Sequence, residues 1–210
     1  MPQAKPPSDL VSDERPLLVL FARFPAAGQC KTRLIPAIGP EGAAEIHRKL
    51  TERTVDLLRQ SGCRVAIATT GAPNAQFQTW LGDDLIYEEQ VDGDLTAKMM
   101  PFVAHAPIIL FGADTPDLNS AHIAQAIAGL NQSRVVIGPA EDGGYYLIAM
   151  REPMPELLTD MPWSTSQVLP ETLQRLKHGG VEPLLLETLS DCDRPEDLAR
   201  WPHLQKFAQS

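Results

Sequence analysis

The chain has 210 residues, of which 43% are hydrophobic and 21% are charged, and its formal net charge is −9. This length and composition are typical of a globular domain with a buried core, and they exclude a disordered or fibrous protein. The negative charge argues against a nucleic-acid partner. The three cysteines have neither the spacing of a zinc site nor the even number of a disulfide framework.

Both ends of the chain are interpreted as tails. Residues 1–15 are polar and rich in proline, where a signal peptide would need a continuous apolar run, so they predict a disordered tail on a cytoplasmic protein. Residues 16–200 are expected to form one domain, followed by a second tail over residues 201–210. The longest apolar runs are far too short to span a bilayer, so no membrane insertion is expected.

Short apolar runs bounded by turn residues predict five buried strands. They are Leu17–Phe21, Val65–Thr69, Ile108–Phe111, Val135–Gly138 and Leu184–Leu186. Helices are predicted between them, opening at Pro40, covering Leu95–His105, covering Ala121–Leu130 behind an N-cap at Ser120, and running from Trp163-Ser164 to Gly179-Gly180. This alternation predicts a single-domain α/β fold with a mixed, mostly parallel sheet and helices on both faces. Ligands should bind beyond the carboxyl ends of its strands.

A small, flexible and cationic loop follows the first predicted strand. Gly28 allows the backbone to approach a ligand closely, and Arg23, Lys31 and Arg33 are donors suited to phosphate oxygens. The loop matches neither of the usual glycine-rich nucleotide fingerprints. From the residues alone, a phosphate site and a solvated basic turn therefore both remain open.

Three aspartates are candidate ligands for a divalent cation. Asp114 follows a predicted strand, at the position where such sheets bind ligands, and a carboxylate there suits Mg²⁺. Asp191 and Asp193 are two residues apart and share a face if the segment is extended. Each position also has a structural interpretation, a turn or helix cap at Asp114 and a helix cap at Asp193.

Other polar motifs are more ambiguous. Glu141-Asp142-Gly143-Gly144 lies between two apparent strands and lets the backbone approach a ligand, but Asp-Gly also predicts a hairpin turn, which we prefer without further context. Asp94 completes a literal D-x-D pattern ahead of a helix, where it can be a decoy. Trp163 and Ser164 indicate either a hydrophobic staple with its cap or a residue over the substrate. The five histidines share no motif and are expected at the surface.

The order of these motifs resembles one bacterial family. The motifs are Phe21-Ala22-Arg23, Pro25, Gly28, Lys31-Thr32-Arg33-Leu34, Gly112 to Leu118, Gly138-Pro139, Glu141 to Tyr145, Trp163-Ser164-Thr165 and Asp191 to Leu198. The family is the group of nucleotide-diphospho-sugar-transferase-like proteins, often labelled glycosyltransferases, some of which are associated with arsenosugar pathways. The resemblance runs from about Leu17 to Leu198 and implies the GT-A fold over the predicted domain.

Two of these motifs are also similar to a second group of enzymes. The run Lys31-Thr32-Arg33-Leu34 and the Asp191/Asp193 pair are similar to 2-phospholactate guanylyltransferase-type nucleotidyltransferases, in which the corresponding acids bind metal. This similarity implies Mg²⁺ or Mn²⁺ on Asp114, Asp191 and Asp193. The chain departs from many nucleotidyltransferases because the run from Arg23 to Gly28 replaces their glycine-rich opening.

The resemblance implies a metal-dependent transferase that binds a nucleotide or nucleotide-sugar and a small acceptor, with glycosyl transfer favoured. We expect Lys31 and Asp114 to take part in the chemistry, with Asp142 as the base toward an acceptor hydroxyl. The residues expected to contact substrate are Arg23, Gly28, Lys31, Arg33, Asp94, Glu141, Gly143, Gly144, Trp163 and Ser164. The alternatives are nucleotidyl transfer with release of pyrophosphate and nucleotide binding without turnover. The sequence specifies neither base, sugar, acceptor nor oligomeric state.

Overall fold

A computed structural model describes residues 15–206. Its centre is a seven-stranded sheet of order β3-β2-β1-β4-β6-β5-β7. The strands are β1 (Leu17–Arg23), β2 (Val65–Thr70), β3 (Ile86–Glu89), β4 (Ile108–Phe111), β5 (Val135–Pro139), β6 (Tyr145–Met150) and β7 (Leu184–Leu185). Strand β6 is antiparallel to both of its neighbours, and the other pairs are parallel. The predicted mixed, mostly parallel sheet is confirmed.

Helices connect these strands. They are α1 (Ile35–Gln60), α2 (Asn74–Leu81), α3 (Leu95–Val103), α4 (Ser120–Gly129), α5 (Val168–His178) and α6 (Pro202–Gln205). Helix α1 is kinked at Gly39, whose φ is 74°, so the helix predicted to open at Pro40 is the longer part of an element that begins earlier. The N-cap of α4 is Asn119 instead of Ser120, because the Asn119 side chain accepts the N–H groups of Ala121 and His122. Within residues 15–206, no helix is long and apolar enough to cross a membrane.

Helices cover both faces of the sheet. Along β1, Leu18 and Leu20 pack in a cluster with side chains of α1, α2 and α4. Leu17 and Val19 point to the other face and pack with α3 and α5. Successive residues of a strand point to opposite faces, so a strand covered on both sides is apolar throughout. This explains why the apolar runs identify the central strands.

A third apolar cluster holds the end of the described chain against α1. Leu34 and Ile46 pack there with Cys192, Trp201 and Leu204. We call residues 187–206 the C-terminal segment. Trp201 and Leu204 are each only 4% exposed, so the first residues of the predicted C-terminal tail pack on the domain. The predicted N-terminal tail, apart from its last residue, and residues 207–210 lie outside the described residues.

Candidate active site

Three distant parts of the chain meet at the carboxyl ends of β1 and β4, which are parallel neighbours. The loop after β1 carries Lys31, whose Nζ lies 2.6 Å from Asp114 Oδ1 in the loop after β4. The same Nζ donates to the Cys192 carbonyl oxygen at 2.7 Å and lies 3.2 Å from Asp193 Oδ1. Lys31 therefore joins two predicted metal ligands, and it does so through one ammonium group.

The backbone of Lys31 is in the left-handed region, with φ 43° and ψ 46°. This conformation costs a residue with a side chain about 1–2 kcal/mol and is often found where a site imposes it. The Lys31 side chain is only 3% exposed. Burial lowers the pKa of Lys31, but Asp114 and Asp193 outweigh it and raise the pKa above its ordinary value. The ammonium group is therefore a permanent positive charge inside the site.

Asp114 and Asp191 have contrasting environments. Burial raises the pKa of Asp114, but Lys31 and then His47 outweigh it, and the net pKa is lowered. The Asp191 carboxylate accepts the Thr115 hydroxyl at 2.6 Å. Burial raises the pKa of Asp191 to about 6, and nearby carboxylates add to the shift. The ionised form of Asp191 is therefore unfavourable, and a bound cation would stabilise it.

The three predicted metal ligands lie near one another without forming a complete metal site. In the described part of the chain, no group of three or more His, Cys, Asp or Glu side chains is placed to hold a metal ion. Asp114 and Asp193 are separated by the Lys31 ammonium group, and Asp191 is held by Thr115. Any metal here would need ligands from a bound molecule.

A cavity of about 420 Å³ opens beside Lys31, and we call it the basic cavity. Its charged lining residues are Arg23, Lys31, Arg33, Lys98, Asp114 and Asp193. Basic groups outnumber acidic ones two to one, in a chain whose net charge is strongly negative. Phosphate oxygens fit such a cavity, because guanidinium and ammonium groups donate strong hydrogen bonds to them.

Helix α1 supports the entrance of this cavity. His47 Nε2 lies 2.9 Å from the Arg23 carbonyl oxygen and donates to it, since a carbonyl oxygen only accepts. Burial lowers the pKa of His47. His47 and His122 are both buried, so the expectation of surface histidines is wrong for these two.

The turn at Gly28, in the loop after β1, has a backbone φ of 77°. No atom lies within 4 Å of the position that a Cβ would take there. The turn therefore requires glycine for its backbone conformation and not for close packing.

A second cavity, of about 520 Å³, adjoins the first and shares Arg33 and Asp193 with it. We call it the acidic cavity. Its charged lining residues are Arg33, Glu141, Asp142, Asp191, Asp193, Arg194, Asp197 and Arg200. Its hydroxyl groups belong to Ser164, Thr165, Ser166 and Ser190. The two cavities therefore present opposite charge on either side of a common boundary.

The turn Glu141-Asp142-Gly143-Gly144 connects the antiparallel strands β5 and β6, as the hairpin interpretation predicts. Its first two residues, Glu141 and Asp142, also line the acidic cavity. Asp142 Oδ1 accepts the Gly144 N–H at 2.8 Å. Gly143 has φ 89°, and a Cβ there would lie 2.5 Å from the Ser166 carbonyl oxygen. The hairpin turn is therefore fixed against the start of α5.

An ion pair closes one side of the acidic cavity. Arg200 in the C-terminal segment donates to both carboxylate oxygens of Glu141, at 2.7 and 3.1 Å. Arg200, followed by the nearby Ser190 hydroxyl, lowers the pKa of Glu141 to about 2. This bidentate contact connects the hairpin turn to the C-terminal segment.

Half of the ten residues expected to contact substrate line neither cavity, namely Gly28, Asp94, Gly143, Gly144 and Trp163. Asp94 Oδ1 accepts the Ala97 N–H at 2.9 Å and caps α3. Trp163 Nε1 donates to Thr96 Oγ1 at 2.8 Å, and its ring packs edge-on against Tyr145. Neither side chain lines the basic or the acidic cavity. Ser164, with φ 62°, does line the acidic cavity.

Some lining residues were not identified from the sequence. Lys98, Gln90 and Thr70 line the basic cavity, and Ser190 lines the acidic one. Lys98 lies one helical turn after Asp94, so the D-x-D segment does mark a helix that reaches the site. No spacing rule identifies the other three, because they reach the cavities through the packing of separate elements.

Comparison with known proteins assigns the family. Residues 54–165, more than half of the chain, match the family described as an uncharacterized protein conserved in bacteria (DUF2064). The chain belongs to this family. A search among curated proteins found no match for the DUF2064 chain.

Solved structures share the fold of this DUF2064 chain. A Desulfovibrio desulfuricans G20 protein, proposed to be a nucleotide-diphospho-sugar transferase, is 26% identical with a TM-score of 0.82, over 87% of this chain and 84% of its own. A nucleotidyl transferase from Methanothermobacter thermautotrophicus is 18% identical with a TM-score of 0.56, over 91% and 98%. CMP-2-keto-3-deoxy-manno-octonic acid synthetase, complexed with CTP, is 15% identical with a TM-score of 0.55, also over 91% and 98%. The fold is nucleotide-diphospho-sugar-transferase-like, as the sequence resemblance implies.

Proposed function

We propose that this DUF2064 chain is a metal-dependent transferase that moves a sugar from a nucleoside-diphosphate sugar to a small acceptor. The observation that carries the proposal is the pair of adjoining cavities of opposite charge at the carboxyl ends of the strands. A phosphorylated donor fits the basic cavity and an acceptor fits the acidic one. The residues they share, Arg33 and Asp193, mark the boundary at which the reacting groups would meet.

The donor diphosphate would be bound by the accessible cations of the basic cavity. Arg33 is 63% exposed, and Arg23 and Lys98 line the same cavity. Lys31 is different, because its Nζ is already shared among three oxygens. Its proposed role is to hold Asp114 and Asp193 in place and to supply positive charge behind the phosphates. Such fixed charge stabilises a leaving group without reorganising during the reaction.

The carboxylates fit a divalent cation that the substrate helps to bind. Asp191 is crowded by other carboxylates, and the side chain of Asp193 is 42% exposed at the boundary of the two cavities. Mg²⁺ prefers oxygen ligands and commonly takes one or two carboxylates together with substrate phosphates. Asp191 and Asp193, with Asp114 behind Lys31, would hold Mg²⁺ or Mn²⁺. The ion would neutralise charge on the leaving diphosphate.

Asp142 is the base that we propose for the acceptor hydroxyl. It lies in the lining of the acidic cavity, near enough to Asp191 to help raise the pKa of that carboxyl. One of its oxygens accepts the Gly144 N–H, which orients the carboxylate and leaves the other oxygen available. A carboxylate positioned in this way can accept the proton as the acceptor oxygen attacks the sugar carbon.

A second candidate function is nucleotidyl transfer with release of pyrophosphate. The specific observation in its favour is that Lys31 contacts both Asp114 and Asp193. Lys31 and Asp193 belong to the two motifs in which the sequence resembles 2-phospholactate guanylyltransferase-type enzymes. A phosphorylated acceptor is already a nucleophile, so this reaction would not need Asp142 as a base.

Product analysis distinguishes the two candidates. We expect nucleoside diphosphate to be released from a nucleoside-diphosphate sugar in the presence of Mg²⁺ or Mn²⁺, and the release to stop on chelation. Asp142→Asn should lower the rate roughly a hundredfold or more while nucleotide affinity is kept. Release of pyrophosphate from a nucleoside triphosphate would support the second candidate. If neither product forms with any nucleotide of a full panel, both candidates are wrong.

A further inference from the structure

We infer that the acceptor of the acidic cavity is an uncharged, polyhydroxylated molecule and not a phosphate ester. The inference rests on the proposed function and specifies the chemical class of the second substrate. It concerns the walls of the acidic cavity, where no salt bridge of the described residues reaches Asp142 or Asp191.

A buried hydroxyl group points to a ligand in this cavity. Ser190 is 4% exposed and lines the cavity, yet in residues 15–206 its Oγ makes no hydrogen bond of normal geometry. Its hydroxyl interacts with Glu141 and lowers the pKa of that carboxyl, but both Glu141 oxygens are already held by Arg200. A buried hydroxyl whose one interaction falls short of normal hydrogen-bond geometry is unfavourable, so a ligand hydroxyl that bonds to Ser190 Oγ would relieve that cost.

The volume and the other lining groups agree with a polyol. A cavity of about 520 Å³ lies within the range of small-molecule sites. Ser164, Thr165 and Ser166 add three hydroxyl groups to the lining. Carboxylates accept hydrogen bonds, and hydroxyls both donate and accept. A ligand with several hydroxyl groups can use both kinds of partner at once.

The balance of charge disfavours an anionic acceptor. Arg200 neutralises Glu141, and Asp193 contacts both Lys31 and Arg33. No salt bridge in the described part of the chain reaches Asp142 or Asp191. A phosphate ester in the acidic cavity would therefore face two uncompensated carboxylates, and like charges brought together in this way oppose binding.

A bound divalent cation would not reverse this balance. In the proposed reaction the cation arrives with a diphosphate that carries an equal and opposite charge, so the pair adds no net positive charge to the acidic cavity. Arg194, the remaining basic residue of the lining, and Asp142 are both exposed, so water and salt screen both charges alike, whereas Asp191 is half-buried and is screened less. The acidic cavity therefore stays negative with the donor bound.

Matched pairs of ligands test the inference on the full chain. Glycerol against glycerol 3-phosphate, and glucose against glucose 6-phosphate, would be titrated by saturation-transfer NMR, first without additions and then with Mg²⁺ and UDP. We expect each neutral polyol to bind at least about ten times more tightly than its phosphate, as charge repulsion of this kind requires. Equal or tighter binding of the phosphates overturns the inference, and so does an absence of binding by both polyols.

Two substitutions report on the residues that carry the inference. Ser190→Ala should weaken binding of glycerol and glucose about three- to tenfold, as loss of one hydrogen bond does. Ser133→Ala is the matched control, because the Ser133 hydroxyl bonds to the Glu182 carbonyl oxygen away from both cavities, and it should leave this binding unchanged. Asp142→Asn should reduce the preference for the neutral ligands, and an unchanged preference overturns the inference.

Failure of the inference can be told apart from failure of the proposed function. UDP and nucleoside-diphosphate sugars are titrated separately by calorimetry, and diphosphate release is measured as above. If diphosphate is released but the phosphate esters are the better acceptors, only the inference is wrong. If the neutral polyols bind as expected and no nucleotide is turned over, the inferred chemistry of the acidic cavity holds and the transferase proposal is wrong.

Discussion

Lys31 is the residue whose removal should disturb the site most. Its buried ammonium group contacts Asp114 and Asp193, which are 44% and 42% exposed and would be partly solvated without it. We expect Lys31→Met to lower the free energy of unfolding by about 1–3 kcal/mol, less than the loss of a partner costs in a fully buried pair. Arg33→Met is the matched control, because its exposed contact with Asp193 at 3.5 Å contributes about 0.5 kcal/mol or less. Urea unfolding measures both, and equal losses would contradict the role of Lys31.

Asp191 should make the metal-free protein less stable as pH rises. Its pKa of about 6 in the folded protein exceeds the ordinary value of 3.8, so the folded state binds the proton more tightly than the unfolded chain. The resulting loss of stability begins near pH 4 and is complete above pH 6. Asp191→Asn should therefore raise the free energy of unfolding by about 1–3 kcal/mol at pH 8 and by little at pH 4.

Unfolding in urea at the two pH values, in the presence of a chelator, measures this difference. The control is Asp193→Asn, which removes a partner of Lys31 and should not stabilise the protein at pH 8. An Asp191→Asn variant that is equally stabilised at both pH values, or is destabilised at pH 8, would show that the Asp191 carboxylate is not under electrostatic strain.

The contact between the β5–β6 hairpin and α5 leaves no room for an added side chain. The Leu169 N–H donates to the Gly143 carbonyl oxygen at 2.8 Å, and Gly143 has no room for a Cβ beside Ser166. Gly143→Ala should cost the left-handed strain of about 1–2 kcal/mol and, in addition, displace α5 from the turn. Gly180→Ala is the control, because Gly180 has φ 66° and open space around it, and only the strain applies. Thermal unfolding compares the two, and equal losses would contradict the steric argument.

Strands that form apolar runs bounded by turn residues could be predicted from the sequence better than the other elements. The apolar runs locate β1, β2, β4, β5 and the edge strand β7 within about two residues of their bounds. Strand β3 was not predicted, because Ile86–Glu89 is a half-buried edge strand that ends in two acids and has no apolar run. Helix α2 was also not predicted. Its position depends on apolar packing of Phe77 and Leu81 that the local pattern does not reveal.

The candidate site could be predicted in part, for a topological reason. Parallel strands bring their carboxyl ends to one edge, so Lys31 and Asp114 were expected near each other. The direct contact between them was not expected, because the phosphate and metal roles assigned to these residues assume that they bind different ligands. The Glu141–Arg200 pair was also missed, since Arg200 is the last residue of the predicted domain, directly before the segment interpreted as a tail.

At the scale of the whole molecule, nucleotide and metal should stabilise the protein together by more than the sum of their separate effects. Each completes the other's binding site, because the carboxylates alone hold a cation weakly and alone repel phosphates. A nucleotide at about a hundred times its dissociation constant adds roughly 2.7 kcal/mol. For a domain of this size, that raises the melting midpoint by roughly 5–10 °C. A thermal-shift panel with and without Mg²⁺ or Mn²⁺ measures the excess.

The double variant Asp191→Asn with Asp193→Asn is the control for this excess. It should abolish the extra stabilisation while largely sparing metal-free nucleotide binding through Arg23 and Arg33. If the double variant keeps the full excess, the acids of the C-terminal segment have only a structural role.

The contact between Lys31 and Asp193 spans 162 positions of the chain, and this separation affects the order of folding. Contacts of high sequence separation close late, because their loop entropy is lost before they contribute. The boundary between the two cavities should therefore be among the last parts of the molecule to form, when the C-terminal segment docks on α1. Undocking of that segment would open both cavities at once. If ligand release requires this motion, the opening rate is an upper limit on the release rate and therefore sets a lower limit on how long either ligand stays bound. Hydrogen exchange of the amides near Cys192, compared with the rate of nucleotide release, would connect the folding of this segment to the residence time of the substrate.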